Sequence, residues 1–158
     1  MSGGISAEWV NPFVTATTRT IETMAGMACR RTGLRVERGS PLARDVSGVI
    51  GIAGAIDGAV AVSLPWALAV RIVERMLGQA PESDASVRDG IGELVNVIAG
   101  HAKGALAGTA YAFQIALPMV IVGAGHAVWS PGASGLSLAV DFEVEGDPFT
   151  LQVCIRGG

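Results

Sequence analysis

Between Ser83 and Leu106 the chain carries Val87, Ile91, Leu94, Val95, Ile98, Ala102 and Ala105 at helical spacing. Only a helix gathers such positions into one apolar stripe, and a stripe of this length must be buried against a core. Ser83 or Asp84 supplies a side-chain oxygen to cap its first turn. With successive residues ~100° apart around the axis, Asp89, Glu93, Asn96, Gly100 and Lys103 fall together on the opposite side. That side lacks the run of Lys, Glu, Gln and Ala expected of a solvated face. It holds a mid-helix asparagine with Gly92, Gly100 and Gly104 around it, each glycine costing up to ~1 kcal/mol relative to alanine. A thin face with a carboxylate and a carboxamide one turn apart suits the approach of another surface. The same residues also suit an exposed face that merely tolerates them, and by themselves they leave both readings open.

The rest of the chain must supply the core. With 158 residues, half of them hydrophobic and 16% charged, the chain reads as a single domain able to bury roughly 68–70% of its unfolded surface. A net charge of −3 gives no electrostatic reason to expect nucleic acid or an anionic membrane. Arg30, Arg31, Arg35 and Arg38 cluster after an expected helix end, where cations favour the helix dipole. The segment from Met1 to Trp9 has no basic start followed by an apolar run, so it does not read as a signal peptide. The longest apolar stretch, around Ile115 to Val122, is too short to span a bilayer. Cys29 and Cys154, far apart and without metal-ligand spacing, are expected as buried free thiols of a cytoplasmic protein.

In chain order, Asn11 and Pro12 predict a helix start, Val14, Thr18, Ile21, Ala25 and Ala28 continue it, and Gly33 is its expected end. Leu34 to Arg38 is a short strand closed by Gly39, Ser40 and Pro41. Val46 to Ala55 and Ala59 to Leu64 read as a hairpin turning at Ile56, Asp57 and Gly58. Pro65 opens a second helix with Trp66, Ala69, Val70, Val73, Met76 and Leu77 facing inward and Gly78 as its stop. After the long helix comes a strand region from Phe113 to Val122, interrupted at Pro118, which has no amide hydrogen for a ladder. A loop from Gly123 to Gly135, with a short strand expected at His126 to Trp129, leads to a last hairpin. Its strands are Leu136 to Val144 and Phe149 to Ile155, turning at Glu145, Gly146 and Asp147.

Two echoes suggest an internal repeat over about residues 10–80 and 83–156. Met24-Ala25-Gly26 matches Ile98-Ala99-Gly100, and Ile56-Asp57-Gly58 sits at a turn like Val144-Glu145-Gly146. Aligned on the Ala-Gly pair, Arg19 stands opposite Glu93 and Glu22 opposite Asn96. The first helix thus keeps the packing without the polar pair.

Most familiar constellations are absent. There is no Walker loop, and Gly123-Ala124-Gly125 lacks the third glycine of a dinucleotide fingerprint. With His101 and His126 as the only histidines, a metal site built by this chain alone is not expected, and a structural role is the simpler reading of each. What remains is Asp89, Glu93 and Asn96. Glu and Asn at that spacing alone say little. The longer string Asp89-Gly90-Ile91-Gly92-Glu93-Leu94-Val95-Asn96-Val97-Ile98-Ala99-Gly100-His101-Ala102-Lys103, followed by Pro118, says far more. It resembles the signature of the CheC/CheX/FliY family of response-regulator phosphatases of bacterial chemotaxis. Asn11-Pro12-Phe13-Val14, the run from Asp45 to Gly51, Arg75-Met76-Leu77-Gly78 and the closing run from Phe149 to Ile155 look like the CheX branch.

Three features place the likeness within the family. CheC-like members carry the Glu and Asn pair in both halves, whereas Arg19 and Glu22 leave one site here. The second half has a loop, Gly123 to Gly135, where the first has the helix from Pro65 to Leu77. No flagellar-switch domain follows Gly158, unlike FliY. The resemblance implies an α+β fold of two pseudo-symmetric halves, long helices packed on one side of a mainly antiparallel sheet, and a homodimer. It implies a phosphatase acting on the aspartyl phosphate of a CheY-like receiver domain in two-component signalling. Asn96 would orient the attacking water and Glu93 would pair with the receiver's lysine. Gly100 would permit close approach, Asp89 and Lys103 would add partner contacts, and Pro118 is the motif proline. Mg2+ would come from the receiver, with no cofactor held by this chain. The alternatives are a non-catalytic adaptor or sink for a phosphorylated receiver, and a structural piece of a signalling or flagellar assembly.

Overall fold

A computed structural model describes residues 7–38, 43–55, 57–126 and 136–155. Its elements run α1 (Ala7–Ala25), β1 (Cys29–Arg38), β2 (Val46–Gly54), β3 (Gly58–Leu64), α2 (Trp66–Leu77), α3 (Asp84–Leu106), β4 (Phe113–Ile115), β5 (Met119–Val122), β6 (Leu136–Val144) and β7 (Asp147–Ile155).

Local chemistry accounts for most of these bounds. The Ser83 hydroxyl oxygen accepts the Ser86 amide hydrogen at 3.2 Å, so serine rather than Asp84 caps α3. Pro65 has no capping side chain. The Asp45 carboxylate fills that role, accepting the Trp66 amide hydrogen at 2.9 Å, and Gly78 (φ 76°) ends the helix in the left-handed region. Glu145 and Gly146 both have positive φ, which gives the tight turn that matches the twist of β6 and β7.

The strands form one antiparallel sheet in the order β1-β6-β7-β3-β2-β4, with β5 also paired to β2. The order reads alike from both edges. The two hairpins meet at the centre through β3 and β7. Each half lends its first strand to the other half's hairpin: β1 lies on β6, while β4 and β5 lie on β2. This is the expected α+β arrangement. Alternation puts Val46, Ile50, Val60, Val62, Leu64, Val140, Phe142, Leu151 and Val153 on the face that the helices cover, in one core with Phe13, Ile21, Ile72, Leu94 and Ile98. Phe13 of α1 stacks on Phe113 at 5.6 Å. The other face carries small or polar side chains, among them Ser47, Ala61, Ser63, Ala139 and Gln152, and these are buried as well.

Several sequence expectations need correction. Helix α1 is already formed at Ala7, so Asn11 and Pro12 lie inside it rather than at its start. Its buried side is Phe13, Ala16, Thr17, Thr20 and Ile21, because the Thr17 hydroxyl donates to the Phe13 carbonyl (2.8 Å) and can enter the core satisfied. Val14 and Thr18 are half-buried, and Ala28 is exposed beyond the helix. The helix stops before Gly26 (φ 65°), whose amide donates to the Glu22 carbonyl, and not at Gly33, which sits at a register shift within β1. The arginines therefore lie on a strand. Arg30 pairs with Glu143 (3.3 Å) and Arg35 with Asp141 (2.9 Å) and Glu37, so carboxylates rather than a helix dipole hold them. In α2, Leu68 and Ile72 are buried while Leu77 is exposed. In α3, Ala105 is exposed, with Ala99 and Leu106 buried instead, as a 3.6-residue period drifts off the stripe over six turns. The expected closure at Gly39, Ser40 and Pro41, the turn residue Ile56 and residues 127–129 of the expected short strand lie outside the described residues.

Cys29 and Cys154 are both free and buried. Burial pushes the Cys29 thiol up to about 12, with the Glu22 carboxylate adding to the effect. Burial also raises Cys154, partly offset by a hydrogen bond from Ser137. The thiolate is the reactive form. Both thiols are therefore expected to resist an aromatic disulfide reagent at neutral pH and to react at the rate of unfolding; rapid labelling of the native protein would contradict this packing.

Candidate functional site

The site is the outward face of α3, and its position follows from how the inward face is seated. At Gly48 of β2 an added Cβ would meet the Ile91 carbonyl oxygen at 2.8 Å and Ile91 and Val95 side-chain carbons at 3.1 Å. Only glycine lets the helix lie this close to the strand. On one flank, a Cβ at Gly90 would come within 2.6 Å of Val73, so α2 packs there without a side chain between. On the other flank, a Cβ at Gly92 would reach Val120 of β5 at 3.4 Å. Sheet below, the helices α1 and α2 packed against it and β5 on the other flank leave one free side.

That free side carries the residues singled out by the sequence. Asp89 and Glu93 are exposed, and Asn96, Gly100 and Lys103 are half-buried. Glu93 and Asn96 are one turn apart on the same face. Among the described residues, none of Asp89, Glu93, Asn96 and Lys103 makes a side-chain hydrogen bond or ion pair. A carboxylate and a carboxamide without internal partners keep their full hydrogen-bonding capacity for something outside the chain. Pro118 is half-buried in the corner between β4 and β5. Arg19 and Glu22 are exposed on α1, on a different helix from the Glu93 and Asn96 pair.

The face is convex, not a pocket. A cavity of about 350 Å³ lined by Arg35, Glu37, Arg44, Ser63, Ala139, Thr150 and Gln152 is built from the sheet face away from the helices and does not include this site. Among the described residues no three His, Cys, Asp or Glu side chains lie together as a metal site. His126 is committed to the fold, sharing hydrogen bonds with the Ser47 hydroxyl (2.8 Å) and the Gly123 carbonyl, while His101 is exposed.

The glycines of α3 separate into two kinds that sequence could not distinguish. Gly90 has a packing reason, whereas a Cβ at Gly100 or Gly104 would meet nothing within 4 Å. Gly100→Ala is therefore expected to stabilise the free protein by up to ~1 kcal/mol, and Gly90→Ala to destabilise it. Denaturant titration of the two variants checks the contrast; a destabilised Gly100→Ala would mean that residue 100 serves the protein's own packing.

The family described as chemotaxis phosphatase CheX matches residues 46–143. No curated protein sequence matches. Among solved structures, a chemotaxis protein CheX from Desulfovibrio desulfuricans is 34% identical with a TM-score of 0.85, covering 94% of this chain and 99% of its own. A CheX from Vibrio vulnificus is 30% identical with a TM-score of 0.83, covering 94% and 99%. A third, 21% identical with a TM-score of 0.75 and covering 94% and 97%, is the CheX of a CheX-CheY-BeF3-Mg2+ complex from Borrelia burgdorferi. A family match across more than half of the sequence, joined to whole-chain similarity at these identities, has one reading: the chain belongs to the CheX family of chemotaxis phosphatases.

Proposed function

We propose that this protein hydrolyses the aspartyl phosphate of a CheY-like receiver domain, using the Glu93 and Asn96 face of α3. The observation that carries the reading is a helix face with an unpartnered carboxylate and carboxamide one turn apart, in a chain of the CheX family. A relative of the same fold is found in complex with CheY, BeF3 and Mg2+.

The chemistry asks little of the phosphatase. In an aspartyl phosphate the leaving group is a carboxylate, so the P–O bond to aspartate breaks easily once water attacks in line. Catalysis of phosphoryl transfer lies mostly in positioning and in charge stabilisation. The receiver brings Mg2+, which neutralises charge on the phosphoryl oxygens, and a lysine of its own. Asn96 supplies the missing part: its carboxamide oxygen accepts a hydrogen bond from the water and fixes its line of approach to phosphorus. Water's oxygen bonds to phosphorus, its proton passes to phosphate or solvent, and the aspartate leaves as carboxylate. Glu93 pairs with the receiver's lysine and sets the register of the docked helix. Gly100 lets the receiver come close to the backbone, with Asp89 and Lys103 as outer contacts. By likeness to its family the protein acts as a cytoplasmic homodimer. A pure adaptor or phosphate sink would have no need of the carboxamide.

Asn96→Ala is expected to fold normally and lose about 100-fold or more of the acceleration, with receiver binding retained. Glu93→Ala is expected to lose affinity as well as turnover. Phosphate release from a phosphorylated receiver, measured with the protein sub-stoichiometric, checks both. Multiple turnovers by wild type and near-background turnover by Asn96→Ala support the role; wild-type turnover by that variant refutes it.

A further inference from the structure

Of the large apolar side chains exposed among the described residues, Leu117 (89%), Met119 (60%) and Val122 (51%) fall within one short stretch, the β4–β5 corner and β5. That stretch borders the α3 face. The Gly92 contact with Val120 fixes the level of one point. Helix α3 runs in the direction of β2: Ile91 and Val95 lie over Gly48 near its start, and the connection 107–112 delivers the chain to Phe113, opposite Gly54 at its end. Strand β5 runs against β2 and therefore against α3. Two residues of strand advance ~6.6 Å and four of helix ~6 Å. Stepping back from Val120 to Pro118 thus matches stepping forward from Gly92 to Asn96. By strand alternation Pro118, Val120 and Val122 share the side that meets α3, with Leu117 at the exposed tip beside them.

We infer that Leu117, Pro118 and Val122 form an apolar rail along the Asn96 flank of the site, against which the phosphorylated receiver docks. This deepens the proposed function and rests on it. The polar helix face and the rail are continuous, so a partner lowered onto Asn96 far enough to reach its phosphate meets Leu117. Pairing of β5 with a second copy is the poorer use of this edge. It is four residues long and Pro118, which cannot donate a ladder hydrogen bond, interrupts the run before it. An apolar contact outside the chemistry gives affinity shared by ground and transition states. It would select which receiver is served.

The test uses Leu117→Ser and Val122→Ser in the full chain, with a receiver domain loaded with Mg2+ and beryllium fluoride as binding probe and the phosphorylated receiver as substrate. Each is expected to weaken binding and raise KM about tenfold or more, leaving kcat within about twofold and the melting temperature unchanged. Asn96→Ala serves as the opposite pattern, with binding kept and kcat lost. If wild type binds and both serine variants bind as well as it does, the rail is refuted while the phosphatase reading stands. If wild type neither binds nor dephosphorylates any receiver, the reading beneath it falls too. A serine variant that sediments as a smaller species than wild type would assign the edge to a second copy and overturn the proposal.

Discussion

The contact between α3 and the backbone of β2 at Gly48 is the constraint on which the rest depends. A side chain at residue 48 would strike the helix's own carbonyl oxygen. Its absence lets Ile91, Val95 and Ile98 sink fully into the core. Close seating fixes the roll of the helix about its axis, and roll decides which residues face outward. A rotation of one residue, ~100°, would bury Glu93 or Asn96 and leave a buried polar group without a partner, at a cost of several kcal/mol. Gly90 guards the same roll against α2, since a Cβ there would come within 2.6 Å of Val73.

A site held on a helix rather than a loop is rigid, and in the proposed reading rigidity is most of what the chemistry requires. The cavity lined by Arg35, Arg44 and Gln152 lies away from this face, and no cluster of metal ligands is found among the described residues. For an enzyme whose substrate is another folded protein with its own metal and lysine, two side chains on a thin helix suffice in the proposed reading. The stability forgone at Gly100 and Gly104, which have no packing role, fits a surface shaped for a partner rather than for its own chain.

The sheet shows how two similar halves become one core. Each half gives its first strand to the other's hairpin, so neither could bury its hydrophobic face alone. The helices of the halves have diverged. α1 ends before Gly26 and shows Arg19 and Glu22 to solvent, while α3 runs past the matching Gly100 with Glu93 exposed and Asn96 half-buried. The same packing frame thus supports a polar pair in one half and not in the other.

Much was legible from sequence because it was local. The period of α3, a capped start at Ser83 or Asp84, the break at Pro118, both hairpins and the shared face of Asp89, Glu93, Asn96 and Gly100 follow from spacing, turn chemistry and one helical wheel. The α1 boundaries are not local, for an Asn-Pro start signal lies within a longer helix and Gly33 resembles the cap that Gly26 provides. Nor is the setting of Arg30 and Arg35, whose carboxylate partners Glu143 and Asp141 are over a hundred residues away. Sequence by itself thus determined the elements and which residues ride together on α3. Only tertiary structure decided that this face is open, that Gly90 is spoken for while Gly100 is not, and that β5 lies beside Asn96. Those depend on which distant backbones approach within van der Waals reach, and no local period encodes that.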